Sequence, residues 1–335
     1  MLVIDFILPK ELIAQEPARP RDHARLLVYD RATKQITDEY FYNLLTYLPE
    51  PTTVVVNNSK VDHCRYLFNG GKREIFVIEA VNDKTVQVLV RPGKQFKLGA
   101  TVQLSESVSV NVTNIDEDGI RTLVFSETLD HADLVAARHV PLPPYIAQND
   151  ELAEEYQTIY AKTNGSKAAP TAGLHFTNEL RTKIQSERDW EEITLHVGLG
   201  TFASLTDEQL DSGKLHEEHF EISGPALKHI FNAKHVTAVG TTSTRTLESI
   251  FKDSNNLQGL SLQKGLEGST DILIKPGFEF KRVDSLITNF HLPGTSLLLL
   301  VEAFVGSEIE MQKIYDHAIE KKYRFYSFGD AMLII

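Results

Sequence analysis

Two short runs of apolar residues near the N-terminus have the composition of β-strands. Residues 25–30 (RLLVYD) and 53–56 (TVVV) are rich in the β-branched and large apolar side chains that strands favour. The second run is apolar on both faces, which is typical of a buried parallel strand. A short helix is also predicted from Pro9, because proline suits the first turn of a helix.

The pattern changes between residues 65 and 125, where short β-rich runs follow one another. Turn signals such as Asn69-Gly70-Gly71 and Asp118-Gly119 separate these runs. Regular short strands with turns between them favour a small antiparallel β-barrel. The predicted strands cover residues 74–80, 85–91, 100–104, 108–112 and 122–125.

Repeated proline at residues 141–144 marks the end of this β-rich region, because proline continues neither a helix nor a strand ladder. Helical and strand-like segments alternate after it, which indicates an α/β sheet with crossover connections. The sequence therefore predicts an α/β domain built from both chain ends, residues 1–60 and 146–335, with an antiparallel β-barrel domain inserted at residues 61–145. The segments behind this prediction are helices at 151–160, 178–187, 245–252 and 292–304, and strands at 193–197, 236–240 and 286–289.

The composition of the 335 residues is that of an ordinary globular protein, with 42% apolar and 24% charged residues. No apolar stretch reaches the ~20 residues that a membrane span needs, and Asp5 and Pro9 argue against a signal peptide. Cys64 is the single cysteine, so no internal disulfide can form and a reducing cytoplasm is expected. The net charge of −12 argues against a nucleic-acid partner unless the cations gather on one face.

A glycine-containing loop, in the string HVGLGTF, follows the predicted strand at residues 193–197. Gly198, Gly200 and Ala203 match the G-x-G-x-x-A spacing of dinucleotide sites, where glycine lets the backbone approach a ligand. A tight turn without a ligand explains the same pattern. Ligands of open α/β sheets bind at the carboxyl ends of strands, so this loop is a candidate site.

A second polar loop, in the string GTTSTR, lies between a predicted strand and a predicted helix. Thr241, Thr242, Ser243 and Arg245 supply hydroxyl groups and a cation beside the free N–H groups of a helix N-terminus. That combination suits an anion such as a phosphate or a carboxylate. The structural alternative is simple capping of the helix, with Arg245 in solvent.

Two further strings place histidine beside small or amide side chains. AAPTAGLHFT contains Thr171 and His175 among residues that allow close packing, and His175 could titrate near neutral pH. TNFHLP places Asn289 and His291 at a strand end, where both offer hydrogen-bond donors and acceptors. For both strings the alternative is a structural or capping role.

These motifs, in this order along the chain, resemble those of one family, the S-adenosylmethionine:tRNA ribosyltransferase-isomerases of queuosine biosynthesis. The resemblance runs from near residue 5 to the last residues, and its strings are long and unusual. The family fold, an α/β domain with a β-barrel insertion, agrees with the one that the hydrophobic pattern predicts. The main matching strings are AAPTAGLHFT (168–177), TLHVGLGTF (194–202), VGTTSTRTLES (239–249), DSLITNFHLP (284–293) and YRFYSFGDAMLI (323–334).

The resemblance implies an enzyme that joins the ribosyl part of S-adenosylmethionine to 7-aminomethyl-7-deazaguanine at the wobble position of a tRNA. Adenine and methionine leave, and the product is epoxyqueuosine. S-adenosylmethionine is then a co-substrate, and no cofactor is expected. No metal is expected either, because His216 and His219 lack the spacing of an H-E-x-x-H site. The implied partner is a tRNA anticodon stem-loop, and the chain is expected to be a monomer in the cytoplasm, away from membranes.

The resemblance also implies roles for named residues. A base must take the proton next to the sulfonium, and the candidates are His175, His196 and His291, with His175 first. Arg245 would pair with the methionyl carboxylate, and Glu248 would accept the amino group. The other predicted substrate-binding residues are Thr171, Gly198, Gly200, Thr241, Thr242, Ser243, Asn289, Lys60 and Arg324.

The N-terminal half departs from the family pattern. Asn58 and Lys60 stand where the family has Asp and Arg, so a negative charge and a bidentate fork are lost. Two alternatives therefore stay open: a non-catalytic tRNA-binding paralogue, or an S-adenosylmethionine- or dinucleotide-dependent enzyme of another reaction type. The candidate cations for tRNA phosphates are Lys72, Arg73, Lys94, Lys97, Lys281, Arg282, Lys321, Lys322 and Arg324.

Overall fold

The structure, a computed structural model, describes residues 6–147, 149–198, 205–252 and 264–335. The chain divides into two compact units. The first consists of Met1–Lys60 and Pro143–Ile335, and the second of Val61–Leu142. Gly200, one of the predicted substrate-binding residues, lies outside the described residues.

Strands make up most of both units. Those of the described residues are β1 Arg25–Asp30, β2 Gln35–Tyr40, β3 Thr53–Asn57, β4 Ser59–Val61, β5 Arg65–Phe68, β6 Arg73–Ala80, β7 Thr85–Arg91, β8 Thr101–Gln103, β9 Ser109–Ile115, β10 Arg121–Phe125, β11 Arg138–His139, β12 Thr163–Ser166, β13 Asp189–Leu195, β14 Lys214–Ile222, β15 Val236–Val239, β16 Leu266–Ile272, β17 Ser285–Asn289 and β18 Ala331–Ile334.

Helices connect many of these strands. The α-helices of the described residues are α1 Leu44–Tyr47, α2 Ala132–Ala136, α3 Asn178–Glu187, α4 Asp207–Ser212, α5 Gly224–Asn232, α6 Gly240–Phe251, α7 Ser296–Val305 and α8 Glu308–Glu320. Short 3₁₀ helices cover Lys10–Leu12, Arg21–His23, Phe41–Asn43, Gly93–Gln95, Asp150–Leu152 and Thr171–His175.

The first unit contains a nine-stranded mixed sheet in the order β16-β14-β13-β3-β15-β17-β18-β1-β2. Its four middle strands β13, β3, β15 and β17 are parallel, so their carboxyl ends share one edge of the sheet. Strand β18 runs antiparallel to β17 and parallel to β1, and β2 is antiparallel to β1. The amino ends of β18 and β1 and the carboxyl end of β2 therefore lie at that same edge.

The middle strands are apolar on both faces because helices cover the sheet from both sides. Alternate residues of β1 enter two different cores: Leu27 and Tyr29 belong to one, and Leu26 and Val28 to the other. The first core also contains side chains of α5, α6, α7 and α8, whereas the second contains side chains of α1 and α3. The result is a three-layer arrangement of helices, sheet and helices.

The second unit contains a seven-stranded antiparallel sheet in the order β11-β5-β6-β7-β10-β9-β8. Its strands alternate between core and solvent, as in β9, where Val110 and Val112 are buried and Asn111 is exposed. A separate hydrophobic cluster with Val86, Val88 and residues of the other strands fills this unit. The predicted mixed α/β class, with a large sheet and an antiparallel sheet, is confirmed.

The predicted helix at residues 151–160 is wrong. Leu152, Tyr156 and Tyr160 are spaced four apart and buried, which imitates the apolar face of a helix. The chain instead forms the 3₁₀ helix Asp150–Leu152 followed by turns. Tertiary packing explains the difference, since the two tyrosine rings lie edge-on to Phe328 and to the aromatic side chains around α3.

Candidate active site

A cavity of about 230 Å³ lies at the edge of the sheet where the parallel strands end. Val197, which follows β13, and Gly240, which follows β15, contribute to its wall. Thr288 and Asn289 at the end of β17 contribute as well. The cavity therefore occupies the place where open α/β sheets bind ligands. The remaining lining residues are Pro144, Tyr145, Ala169, Pro170, Thr171, Ala172, Thr241, Thr242, His291, Leu292, Thr295, Leu297, Tyr326 and Ser327.

Helix α6 begins directly after β15 and presents its first turn to the cavity. Gly240 has a φ of 86°, a left-handed conformation that lets the strand turn into the helix without an intervening loop. Gly240, Thr241 and Thr242 all line the cavity. The N–H groups of a first helical turn have no partner inside the helix, so this wall favours a negatively charged group.

Asn289 forms the centre of a polar network at the end of β17. Its Oδ1 accepts a hydrogen bond from the Thr171 hydroxyl at 2.9 Å, and its Nδ2 donates to Nε2 of His175 at 3.1 Å. The same Nδ2 donates to the carbonyl oxygen of Tyr326 at 3.3 Å. Thr171 and Asn289 line the cavity, whereas His175 lies behind them and is 3% exposed.

Burial keeps His175 uncharged. Burial, together with the positive charges of Arg324 and Arg21, lowers the pKa of the imidazole to about 3. Nε2 of a neutral imidazole can accept the amide hydrogen of Asn289 when the ring proton is on Nδ1. His175 therefore orients Asn289 and is not among the residues that line the cavity, so its ranking as the first candidate base stays a prediction that these contacts do not favour.

His291 is the member of the predicted histidine trio that lines the cavity. Its Nε2 lies 2.9 Å from Oγ1 of Thr288, and its backbone N–H donates to the hydroxyl of Tyr315 at 3.0 Å. Burial lowers the pKa of the imidazole to about 4, so the ring is neutral at pH 7. A neutral imidazole has a nitrogen lone pair that can accept a proton.

His196 belongs to a different surface. Strand alternation after β13 directs Val197 to the cavity, whereas His196 lines a groove together with His219, Glu221 and Glu267. The structure therefore places His196 and His291 in different cavities, and the role of His196 as the base stays a prediction.

Arg245 is bound within the protein. Its guanidinium lies 2.5 Å from the carboxylate of Glu218, and both side chains are 6% exposed. The other carboxylate oxygen of Glu218 accepts the backbone N–H of Gly198 at 2.9 Å. The pairing of Arg245 with a substrate carboxylate stays a prediction, and in this structure the cation has a buried anionic partner. Ser243 is fully buried, and neither it nor Gly198 lines the cavity.

Glu248 holds a loop. Its carboxylate accepts backbone N–H groups from Lys281 at 2.7 Å, Arg282 at 3.0 Å and Val283 at 2.8 Å. Burial raises the pKa of Glu248, and these three hydrogen bonds act in the opposite direction. The residue does not line the cavity and its observed contacts are structural, so the contact with the substrate amino group stays a prediction.

The two remaining predicted cations also lie outside the cavity wall. Lys60 is exposed on β4. Arg324 donates to the carbonyl oxygen of Glu16 at 3.2 Å and lies 3.5 Å from the carboxylate of Asp330. Neither residue lines the cavity.

Sequence reasoning missed two tyrosines that form one wall. The rings of Tyr145 and Tyr326 lie 4.0 Å apart between centroids, and both line the cavity. Tyr326 has a φ of 71°, which is rare for a residue with a side chain and costs roughly 1–3 kcal/mol. Such strain concentrates at functional sites. Tyr326 lies within the string YRFYSFGDAMLI, which carries part of the family resemblance. The sequence alone does not indicate the left-handed backbone conformation of this residue.

Two negative observations apply to the described residues. Across residues 6–147, 149–198, 205–252 and 264–335, no three His, Cys, Asp or Glu side chains lie close enough together to hold a metal ion. Within those same ranges, no helix combines the length and the apolar character needed to cross a bilayer.

Comparison with known proteins matches nearly the whole chain. The sequence profile of a family described as "Queuosine biosynthesis protein" matches residues 3–334. A Thermotoga petrophila protein described as S-adenosylmethionine:tRNA ribosyltransferase-isomerase is 43% identical over 99% of this chain and 98% of its own length. A relative of the same description from Caldanaerobacter subterraneus subsp. tengcongensis is 42% identical over 98% of each chain. The crystal structure of an S-adenosylmethionine tRNA ribosyltransferase from Thermotoga maritima shares 35% identity, with a TM-score of 0.56 over 99% of both chains.

Proposed function

We propose a function for the cavity from the premise that this chain belongs to the queuosine biosynthesis protein family. The chain is an enzyme that transfers and isomerises the ribosyl group of S-adenosylmethionine onto tRNA. The acceptor that we propose is 7-aminomethyl-7-deazaguanine at the wobble position, with epoxyqueuosine as the product and adenine and methionine as leaving groups. The observation that supports the cavity as the reaction site is its wall, which combines a helix N-terminus, a neutral histidine and two tyrosine rings.

The methionyl carboxylate of S-adenosylmethionine would lie at the N-terminus of α6. Gly240, Thr241 and Thr242 line the cavity there. The aligned peptide dipoles of this twelve-residue helix give its first turn a partial positive charge. The hydroxyl of Thr241 adds a hydrogen-bond donor. Arg245 is not required for this contact, since its charge is neutralised by Glu218.

The tyrosine wall would hold a flat ring. Tyr145 and Tyr326 offer aromatic faces on which adenine or deazaguanine can stack, and stacking of a base on an aromatic side chain is worth about 1–3 kcal/mol. The hydroxyl of Tyr145 lies 2.5 Å from Oγ of Ser327, which fixes the orientation of that ring.

His291 would take the proton that starts the reaction. The positive sulfur acidifies the ribose carbon bonded to it, and the electron pair left on that carbon is stabilised by the adjacent sulfonium. The removed proton goes to a ring nitrogen of His291. Because the imidazole is neutral at pH 7, it does not repel the sulfonium before the transfer.

The network around Asn289 would position the reactants. Thr171 and His175 fix both ends of the Asn289 amide, and the amide in turn fixes the backbone of Tyr326. These residues therefore hold the backbone of Tyr326 against the end of β17, two residues before His291. Preorganisation of this kind contributes to rate by holding the reactants in a reactive geometry.

We further propose that S-adenosylmethionine is a co-substrate and that no cofactor or metal takes part. The chain would act as a monomer in the cytoplasm, with Val61–Leu142 as a β-barrel domain inserted into the α/β domain. Activity that survives a metal chelator and a monomeric elution volume would support these proposals.

The test of the function is the mass of the wobble nucleoside. The protein is incubated with S-adenosylmethionine and a tRNA that carries 7-aminomethyl-7-deazaguanine, and the tRNA is digested to nucleosides. We expect the mass of the epoxycyclopentane derivative, together with free adenine and methionine. An unchanged nucleoside, or S-adenosylhomocysteine as the co-product, would overturn the proposal.

A further inference from the structure

Two exposed tyrosines lie stacked on each other beside the end of β2. The rings of Tyr40 and Tyr42 are 5.5 Å apart between centroids and within 5° of parallel. Tyr40 is 45% exposed and Tyr42 is 38% exposed, although most large aromatic side chains of the described residues are buried. The ring of His23 lies 5.2 Å from that of Tyr42. We call Tyr40, Tyr42 and His23 the aromatic platform.

The platform lies at the same edge of the sheet as the cavity. One row of paired residues crosses four strands, from Asn289 on β17 to Ala331, then to Leu26 and finally to Glu39 on β2. Tyr40 follows Glu39 and is the last residue of β2. Three strand spacings of about 4.8 Å place the end of β2 roughly 14 Å from Asn289.

Three cations, Arg25, Lys321 and Lys322, lie near the platform, and so does the carboxylate of Glu39, whose Oε1 accepts the backbone N–H of Tyr40 at 2.9 Å. Arg25 pairs with Tyr40 across the β1–β2 ladder, and its guanidinium donates to the carbonyl oxygen of Lys321 at 2.6 Å. Lys321 and Lys322 are both exposed at this point. The nearby Asp38 lies 3.6 Å from the guanidinium of Arg25, which offsets its charge, and 3.0 Å from Nε2 of His317.

Exposed parallel rings beside lysines fit single-stranded RNA. Every nucleobase has an apolar face, and its phosphates are attracted to lysine and arginine. A protein surface or a membrane would require a wider apolar patch than two rings. The charge and the shape of the patch therefore favour an unpaired nucleotide.

We propose that the aromatic platform stacks an unpaired base of the tRNA anticodon loop while the wobble base occupies the cavity. This inference rests on the proposed function, because it takes the wobble base as the substrate. A separation of roughly 14 Å corresponds to about four nucleotides of a stacked strand at about 3.4 Å each, and to fewer when the strand is extended. The stacked base therefore lies within about four nucleotides of the wobble position. Lys321 and Lys322 contact the phosphates of this segment.

The first test compares RNA binding by three variants of the full chain. Tyr40→Ala/Tyr42→Ala removes both rings, and Tyr40→Phe/Tyr42→Phe keeps them. Phe231→Ala is a matched control, because Phe231 is also exposed and stacks on Phe251, but it lies in α5, which leads to the opposite edge of the sheet. We expect the double alanine variant to bind an anticodon stem-loop at least about tenfold more weakly, with the other two variants unchanged. Equal affinity of all proteins would overturn the proposal.

The second test uses the wild-type chain with modified RNA. An abasic residue is placed in turn at each loop position near the wobble base. We expect one position to weaken binding to wild type by about tenfold and to have no further effect on the double alanine variant, since the lost contact is the same. Additive losses at every position would overturn the platform, and so would equal affinity of the wild-type chain for every abasic RNA, a comparison that does not need the alanine variant.

The two proposals fail in different ways. If wild type modifies the tRNA and the alanine variant does so with the same KM for RNA, the platform is wrong and the proposed function stands. If wild type gives no epoxyqueuosine, the proposed function is wrong, whatever the binding data show. Both proposals are supported if wild type modifies the tRNA and the double alanine variant shows a raised KM for RNA, with kcat and the affinity for S-adenosylmethionine unchanged.

Discussion

Two buried imidazoles beside the cavity remain uncharged at neutral pH. Burial lowers the pKa of His291 to about 4 and that of His175 to about 3. The absence of charge has a different consequence for each residue. His291 keeps a lone pair at the cavity wall, whereas His175 keeps an acceptor for the amide of Asn289.

The free energy of unfolding of a His175→Gln variant should depend less on pH than that of the wild-type chain. The folded pKa of about 3 lies below the ordinary value of 6.5, so the unfolded chain binds a proton first as the pH falls. The free energy of unfolding attributable to this group is fully present above pH ~6.5 and is lost below it, by up to about 1.4 kcal/mol per pH unit. Urea titrations between about pH 6.5 and 4.5 should show a shallower decline in the variant.

His229, which lies in the same unit, provides a control because its pKa is shifted in the opposite direction. Its hydrogen bond to Glu191 raises the pKa of His229, so that group stabilises the folded state at low pH and the stabilisation is lost as the pH rises. His229→Gln should therefore steepen the decline in stability towards low pH. The account of His175 is wrong if its variant declines as steeply as the parent.

Helix α6 performs two tasks at the scale of the element. Its first turn lines the cavity, and its later residues tie it to the rest of the unit through Arg245 and Glu248. The division follows from helical geometry, since residues a few positions apart point in different directions. Thr241 and Arg245 can therefore be tested separately.

Thr241→Val should weaken the binding of S-adenosylmethionine by about tenfold or more, because a hydrogen bond to a charged group contributes roughly 1.5–3 kcal/mol. Thr246→Val is the matched control: its hydroxyl donates to the carbonyl oxygen of Thr242 at 3.0 Å within the helix, and it does not line the cavity. Calorimetric titration of each variant measures the difference. Equal affinities would show that the carboxylate does not lie at this helix end.

Arg245→Met should lower the free energy of unfolding by about 3–5 kcal/mol, because it leaves the carboxylate of Glu218 buried without its cation. Adding Glu218→Gln should recover more than half of that loss, since the neutral amide can still accept the N–H of Gly198. Urea unfolding of the single and double variants completes the cycle. Simple additivity of the two losses would contradict a direct buried pair.

The pattern of apolar residues was sufficient for the central strands of the large sheet and for most strands of the antiparallel sheet, and for the polar residues that follow the parallel strands directly. It missed β2, β14, β16 and β18 of the large sheet and β5 and β11 of the other. Thr241, Asn289 and His291 could be placed at one edge because parallel strands end together. Arg245 and Glu248 could not be placed, since their partners lie on elements that the chain reaches only through tertiary packing. The cavity contact of Tyr145 with Tyr326 joins distant parts of the chain and has no local signature.

At the scale of the whole molecule, an acidic chain must bind an acidic polymer. The net charge is −12, so long-range attraction does not favour tRNA and local cations have to provide it. The edge that carries the cavity also carries Arg25, Lys321 and Lys322 beside the aromatic platform. Binding should therefore depend steeply on salt through a small number of phosphate contacts.

Lys321→Gln/Lys322→Gln should reduce that salt dependence. Each lost phosphate contact on a single strand lowers the slope of log K against log salt by about 0.7, so the pair should lower it by roughly 1.4. Lys228→Gln/Lys234→Gln makes the same change in net charge at the start of β15, the opposite edge, and should leave the slope unchanged. Equal slopes for the two double variants would place the RNA elsewhere.

The central claim is that the cavity at the strand ends is where the sulfonium-bearing donor reacts, with His291 as the base. The most direct measurement is the single-turnover rate of adenine release from S-adenosylmethionine in the presence of the acceptor tRNA. We predict that His291→Gln slows it by about 10²–10⁴-fold, while His196→Gln, whose side chain lines the separate groove, stays within a few-fold of wild type. A normal rate in His291→Gln, or an equal loss in both variants, would contradict the account.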